Sequence, residues 1–192
     1  MKTYQIPEFK QRLVNNALNF MGKKSNQKIV VFESDDWGSI RMPSRKVYQE
    51  LLDSGIRVDR CAYMRNDSLA SEEDLNILLE ALQSIKGGNA ENAVFTFNTV
   101  VANPDFKKIK EDKFHNYYYE PFTETLERNS STMNSLEIWK QAIDDGLIVP
   151  QFHGREHLHV NKWMHLLKKN NPLFTKAFEN GCWGLGRNTH KS

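Results

Sequence analysis

The chain has 192 residues, 39% hydrophobic and 26% charged, with a formal net charge of +2, which suits one globular domain with its own core. Its 26 basic residues are interspersed with 24 acidic ones, and the pairs Lys23-Lys24, Lys107-Lys108 and Lys168-Lys169 form no stripe, so a nucleic-acid partner is not expected. Two cysteines, Cys61 and Cys182, are too few and too far apart for a disulfide framework.

Pro7 is tolerated at a first helical position, and Leu13, Ala17, Leu18 and Met21 recur at helical spacing up to Gly22, so residues 1–22 read as a leading helix. Lys28 to Glu33 reads as a short buried strand, because β-branched and aromatic residues cluster there without helical period. A polar turn from Ser34 to Pro43 follows. Ser44 is placed to cap a helix containing Val47, Tyr48, Leu51 and Leu52, which ends at Gly55. Ser71 with Asp74 predicts a capping box, continued by Leu75, Leu78, Leu79 and Leu82 and stopped by Gly87-Gly88.

Ala93 to Phe97 is the second predicted strand, and the aromatic-rich segment from Phe114 to Phe122 matches no single element. Leu136, Ile138, Trp139 and Ile143 predict a helix closed by Gly146. Leu147 to Phe152 is the third strand, with Pro150 disfavouring a central position for it. Two short helices fill residues 160 to 180. Strands separated by helices, as apolar runs rather than alternation, predict parallel β/α units. The expected layout is a single α/β domain: a leading helix over 1–22, a β/α core over 28–180 and a tail over 181–192. No segment reads as a membrane span or a signal peptide, so a cytoplasmic location is expected. Nothing fixes the oligomeric state.

Two clusters carry candidate chemistry, each just after a predicted strand. The first is Glu33-Ser34-Asp35-Asp36-Trp37-Gly38-Ser39, and the second is His153-Gly154-Arg155-Glu156-His157-Leu158-His159. Either alone has an ordinary explanation. An Asp-Asp pair after a strand is commonly a solvated turn, and two histidines four apart occur by chance on surfaces. Together they point to one site, because loops leaving the C-terminal ends of parallel strands converge on one face. Adjacent carboxylates in a dry pocket favour a cation nearby. Zinc accepts Asp oxygen and His nitrogen, so one aspartate of the pair together with His153 and His157 would give one divalent ion three protein ligands. The second aspartate is then free to act as a base toward water whose pKa a cation lowers to about 7.

These residues resemble the polysaccharide deacetylases, the family that includes the rhizobial nodulation-factor deacetylases. Phe32-Glu33-Ser34-Asp35-Asp36-Trp37-Gly38 is similar to that family's strand leading into Thr-Phe-Asp-Asp-Gly. Val94-Phe95-Thr96-Phe97 is similar to its Thr-Phe-Phe element, and His153-Gly154-Arg155-Glu156-His157 to its His-Ser/Thr-x-x-His motif. Trp37 and Gly154 depart from the motifs. The resemblance implies a partial β/α barrel, with Asp35 as general base and Asp36, His153 and His157 on the metal. It implies hydrolysis of N- or O-acetyl groups on an acetylated carbohydrate. Arg155, Glu156 and Trp37 are expected to support the ligands or the substrate.

The resemblance covers roughly the first half of such a domain. Nothing after His157 matches the family's later motifs, and His190 sits in the tail, so metal binding with weak or absent turnover is expected. Two alternatives remain open from the residues: a non-catalytic remnant that binds metal or carbohydrate, and an inverzincin-type protease using His153, Glu156 and His157.

Overall fold

The computed structural model describes residues 8–22, 26, 28–88 and 90–186; His190 and the end of the expected tail lie outside them. The chain falls into two units, Met1–Val31 and Phe32–Ser192. In the first, helix α1 spans Glu8–Met21 and buries none of its residues. The strand expected from Lys28 is absent there. Hydrogen bonding starts only at Phe32, where the neighbouring strand begins (Phe32 opposite Phe95). Ile29, Val30 and Val31, with no strand to pair with, are left exposed.

The second unit is built on three parallel strands: β1 (Phe32–Trp37), β2 (Phe95–Val100) and β5 (Ile148–Gly154), in the order β1-β2-β5. Between them, β3 (Ala102–Pro104) and β4 (Tyr119–Pro121) form a small antiparallel pair. The helices are α2 (Arg45–Asp53), α3 (Ala62–Asn66), α4 (Glu72–Ser84), α5 (Phe106–Glu111), α6 (Phe122–Glu127), α7 (Ser135–Asp144), α8 (Val160–Lys168) and α9 (Pro172–Glu179). The fold is mixed α/β with flanking helices, and among the described residues the sheet does not close into a barrel.

The local signals in the sequence act as expected at most helix ends. The Ser44 side chain accepts from the Val47 amide at the start of α2. Ser71 and Asp74 form the reciprocal capping box of α4, which satisfies two donors that a helix start otherwise leaves unpaired. Pro150 lies in β5, an outer strand bonded on one side only, which is where a residue without an N–H is tolerated.

Packing falls into three clusters. Leu75 and Leu82 of α4 and Trp139 and Ala142 of α7 cover the sheet at Phe97 and Ile148. Met42, Leu51, Val58, Met64 and Cys182 form a second cluster. Ile109, Trp163, Leu167, Phe174 and Phe178 form a third, onto which Phe114, Tyr117 and Tyr118 pack. The aromatic-rich segment left unassigned by periodicity is thus mostly cover for this third cluster, and it ends in the short strand β4.

Both cysteines are free thiols. Burial leaves Cys182 fully enclosed and pushes its thiol up to about 12, whereas Cys61 is only partly buried. A three-unit rise leaves roughly a thousandfold less of the reactive thiolate at neutral pH. A disulfide reagent is therefore expected to titrate one thiol in the native protein and both in guanidinium. In Cys61→Ser the fast native phase should disappear.

Candidate functional site

Two irregularities in the sheet build the site. Between Ser34 and Trp37, β1 advances three residues while β2 advances from Phe97 to Thr99, so β1 carries one extra residue. Between Phe152 and Gly154, β5 advances two while β2 advances only from Thr99 to Val100, so β5 carries an extra residue at His153. Bulges of this kind bend a strand and re-aim its side chains. Asp36 takes a left-handed conformation (φ 65), which Asp tolerates better than most side chains. Gly38 follows at φ +84, where an added Cβ would stand 2.7 Å from the Val100 carbonyl oxygen. Only glycine lets the chain turn away that close to β2.

Asp36 from β1, His153 from the end of β5 and His157 from the loop beyond it meet outside the carboxyl ends of the strands. One ligand atom from each lies within 4.8 Å of the others. Asp36 Oδ1 is 2.8 Å from His157 Nδ1 and 3.8 Å from His153 Nε2. It is buried, yet it accepts no hydrogen bond, although buried acceptors are nearly always paired. His157 Nε2 lies 3.3 Å from the His153 carbonyl oxygen. That contact is a hydrogen bond when the proton sits on Nε2, a tautomer in which Nδ1 is an unprotonated nitrogen 2.8 Å from the Asp36 oxygen. In that tautomer one carboxylate oxygen and two ring nitrogens stand across a small gap, a donor set suited to a cation.

The other Asp36 oxygen is spoken for. Arg41 Nη2 donates to Oδ2 at 2.6 Å, while Arg41 Nε lies 2.9 Å from Asp67 Oδ2 in an ion pair without hydrogen-bond alignment. The guanidinium is held against the rings of Tyr63 and Trp183, 4.7 and 5.3 Å from their centroids. Burial pushes the Asp67 carboxyl up to about 6, with Asp36 adding to the rise and Arg41 and His157 opposing it. A carboxyl raised on folding stabilises the fold in its protonated form. That contribution is complete below its ordinary value of 3.8 and is lost as pH rises through about 6. In chelator, Asp67→Asn is therefore expected to gain on the wild type in melting temperature as pH is raised from 4 to 7. Parallel melting curves for the two proteins would contradict this.

Asp35 lies beside Asp36 on β1, and its Oδ1 accepts a 2.8 Å hydrogen bond from Asn98 Nδ2 of β2. Ser34, Asp35, Asp36, His153 and His157 line one polar cleft of about 680 Å³. The chain matches no protein-family model, no curated protein and no solved structure. The reading of the site therefore rests on its own geometry and on the motif resemblance.

The remaining expected site residues lie elsewhere. Trp37 stacks on Phe97, with ring centroids 3.5 Å apart, and meets Trp139 edge-on, so its ring is part of the packing under the site. Arg155 and Glu156 pair with each other, and Arg155 covers the Tyr117 and Tyr119 rings. The segment from His153 to His157 is a strand end and a loop, with α8 beginning only at Val160.

Sequence reasoning missed Arg41, Asp67, Asn98 and Asn103. Buried Asn103 donates to the Gly38 carbonyl and accepts from the Ile40 amide, which pins the loop after β1. No local pattern marks these residues, because Arg41 reaches back across a turn and the other three act from another strand or a separate loop.

Proposed function

We propose that this chain is a metal-dependent hydrolase of the polysaccharide deacetylase type, built on part of a β/α barrel and acting on N- or O-acetyl groups of a carbohydrate. The observation that carries the reading is the orphaned Asp36 Oδ1 facing the imidazoles of His153 and His157, with Asp35 next to it in the same cleft. Two imidazoles and one carboxylate suit zinc. A divalent cation held there supplies the Lewis acidity that polarises the acyl carbonyl and acidifies water.

The chain's own residues do the rest. Asn98 fixes the Asp35 carboxylate, which takes a proton from water as the water oxygen bonds to the acyl carbon. The bond from that carbon to the sugar nitrogen or oxygen then breaks. The leaving atom takes up the proton, giving acetate and a free amine or hydroxyl. Arg41 neutralises the second oxygen of Asp36 and holds that carboxylate in place. Glu156, the other carboxylate among the expected site residues, is paired with Arg155 and does not line the cleft, so slow turnover is part of the proposal.

Metal analysis after dialysis against zinc, run beside acetate release from N-acetyl chito-oligosaccharides, tests the reading. Near-stoichiometric zinc with zinc-dependent acetate release supports it. A folded protein that takes up no zinc overturns it. Zinc without acetate release from any N- or O-acetylated sugar leaves a binding protein in place of an enzyme.

A further inference from the structure

Beside the polar cleft lies a second cavity of a different character, about 450 Å³ in volume. Its walls are mainly Leu158, Trp163, Leu166, Leu173, Phe174 and Trp183, with the polar side chains of His159, Lys162 and Asn171 also lining it. They come from the loop before α8, from α8 and α9, and from the segment after α9. Arg41 and His157 line both this cavity and the cleft that holds Asp35, Asp36 and His153. The two spaces therefore meet at a candidate metal ligand. A volume of this size lies within the range of sites that enclose whole small molecules, and an acetyl methyl fills only a small part of it. Aromatic and leucine walls favour an apolar occupant, since each methylene moved from water to such a surface is stabilising.

We propose that the site takes a medium-chain aliphatic acyl group, with its chain in this cavity, its carbonyl beside His157 and its hydroxylated amine or alcohol portion in the polar cleft. This rests on the hydrolase reading above and widens its substrate from an acetyl to a longer acyl amide or ester. The bond changes are the same, with water adding to the carbonyl and the fatty acid leaving as its carboxylate. The cleft is lined mostly by charged and polar side chains and the second cavity mostly by leucine and aromatic ones, with His159, Lys162 and Asn171 among them, a contrast that suits an amphiphilic substrate.

Binding of the acid product tests this without turnover. Octanoate and acetate are titrated into the full chain, once in chelator and once with zinc, by calorimetry and by tryptophan fluorescence, which reports Trp163 and Trp183. Octanoate is expected to bind about 100-fold tighter than acetate or better, given six additional methylenes, and in chelator as well as in zinc. Leu166→Trp, which fills the cavity from α8, should bring octanoate down to the acetate level while zinc uptake is unchanged. Leu158→Trp does the same from the preceding loop should the first variant fold poorly. Octanoate binding no tighter than acetate by the wild type overturns the acyl-chain proposal, and so does tight binding that survives both substitutions. Tight, cavity-dependent octanoate binding in a chain that takes up no zinc would support the cavity and sink the hydrolase reading alone.

Discussion

Asp36→Ala is expected to lower zinc affinity by at least about 100-fold, since loss of an outer-shell partner alone costs 10–100-fold at a metal site. Asp36 is the only carboxylate in the ligand group, and its Oδ1 is the atom both imidazoles face. His153→Ala and His157→Ala should each lose zinc as well. Asp35→Asn should keep the metal and lose acetate release, because Asp35 is not in the ligand group and its proposed part is proton transfer. The comparison also separates the rival readings. A protease built on His153, Glu156 and His157 would keep its zinc in Asp36→Ala and lose activity in Glu156→Gln. A simple ion pair between a protonated His157 and Asp36 would leave the wild type and every variant without stoichiometric zinc. Inductively coupled plasma mass spectrometry on the dialysed proteins reads the metal arms, and acetate-release and peptidase assays read the two activity arms.

Phe97→Ala is expected to destabilise the fold by about 3–5 kcal/mol, the usual range for emptying a buried phenylalanine site. Phe97 is fully buried in β2 and touches Trp37, Phe95 and Trp139 through stacked or edge-on ring contacts. Such a loss is a large share of the ~5–15 kcal/mol that holds a typical domain together. Phe152→Ala is the control. That ring is 76% exposed on β5, so its removal should change denaturant midpoints little. Phe97→Ala should also weaken zinc uptake, because Trp37, which follows Asp36 in the chain, loses the ring it rests on. Equal midpoints for the two variants would contradict the packing described.

Much of the scaffold was legible because its signals are local. Ser44, Ser71 and Asp74 announce helix starts through hydrogen bonds within one turn, and Gly55 and Gly146 announce stops with positive φ. Three apolar runs separated by helices were enough to expect parallel strands. Strand boundaries were less legible. Apolar content drew the first strand to Lys28, whereas pairing with β2 decides where a strand begins. The grouping of Asp36, His153 and His157 could be expected from two motifs after two strands. What steadies it could not. Arg41 reaches Asp36 across a turn, Asp67 arrives from the loop after α3, and Asn98 donates to Asp35 from the neighbouring strand. Trp37 sits inside the motif and packs beneath the site, a placement set by the three-dimensional position of Phe97.

The extra residues in β1 and β5 make the site a matter of counting as well as chemistry. In a regular strand, removing one residue turns every later side chain to the opposite face. Deleting Asp35 would leave one aspartate in the motif and restore even register with β2, so the survivor would no longer have its present aim. Inserting a residue elsewhere in β1 would not repair it, because the offset must fall between Ser34 and Trp37. The same holds for His153, whose offset lies between Phe152 and Gly154. A transplant of this site into another parallel sheet would therefore have to carry two misalignments, one on each side of an unbroken middle strand, and Asp35, Asp36, His153 and His157 would not converge without them.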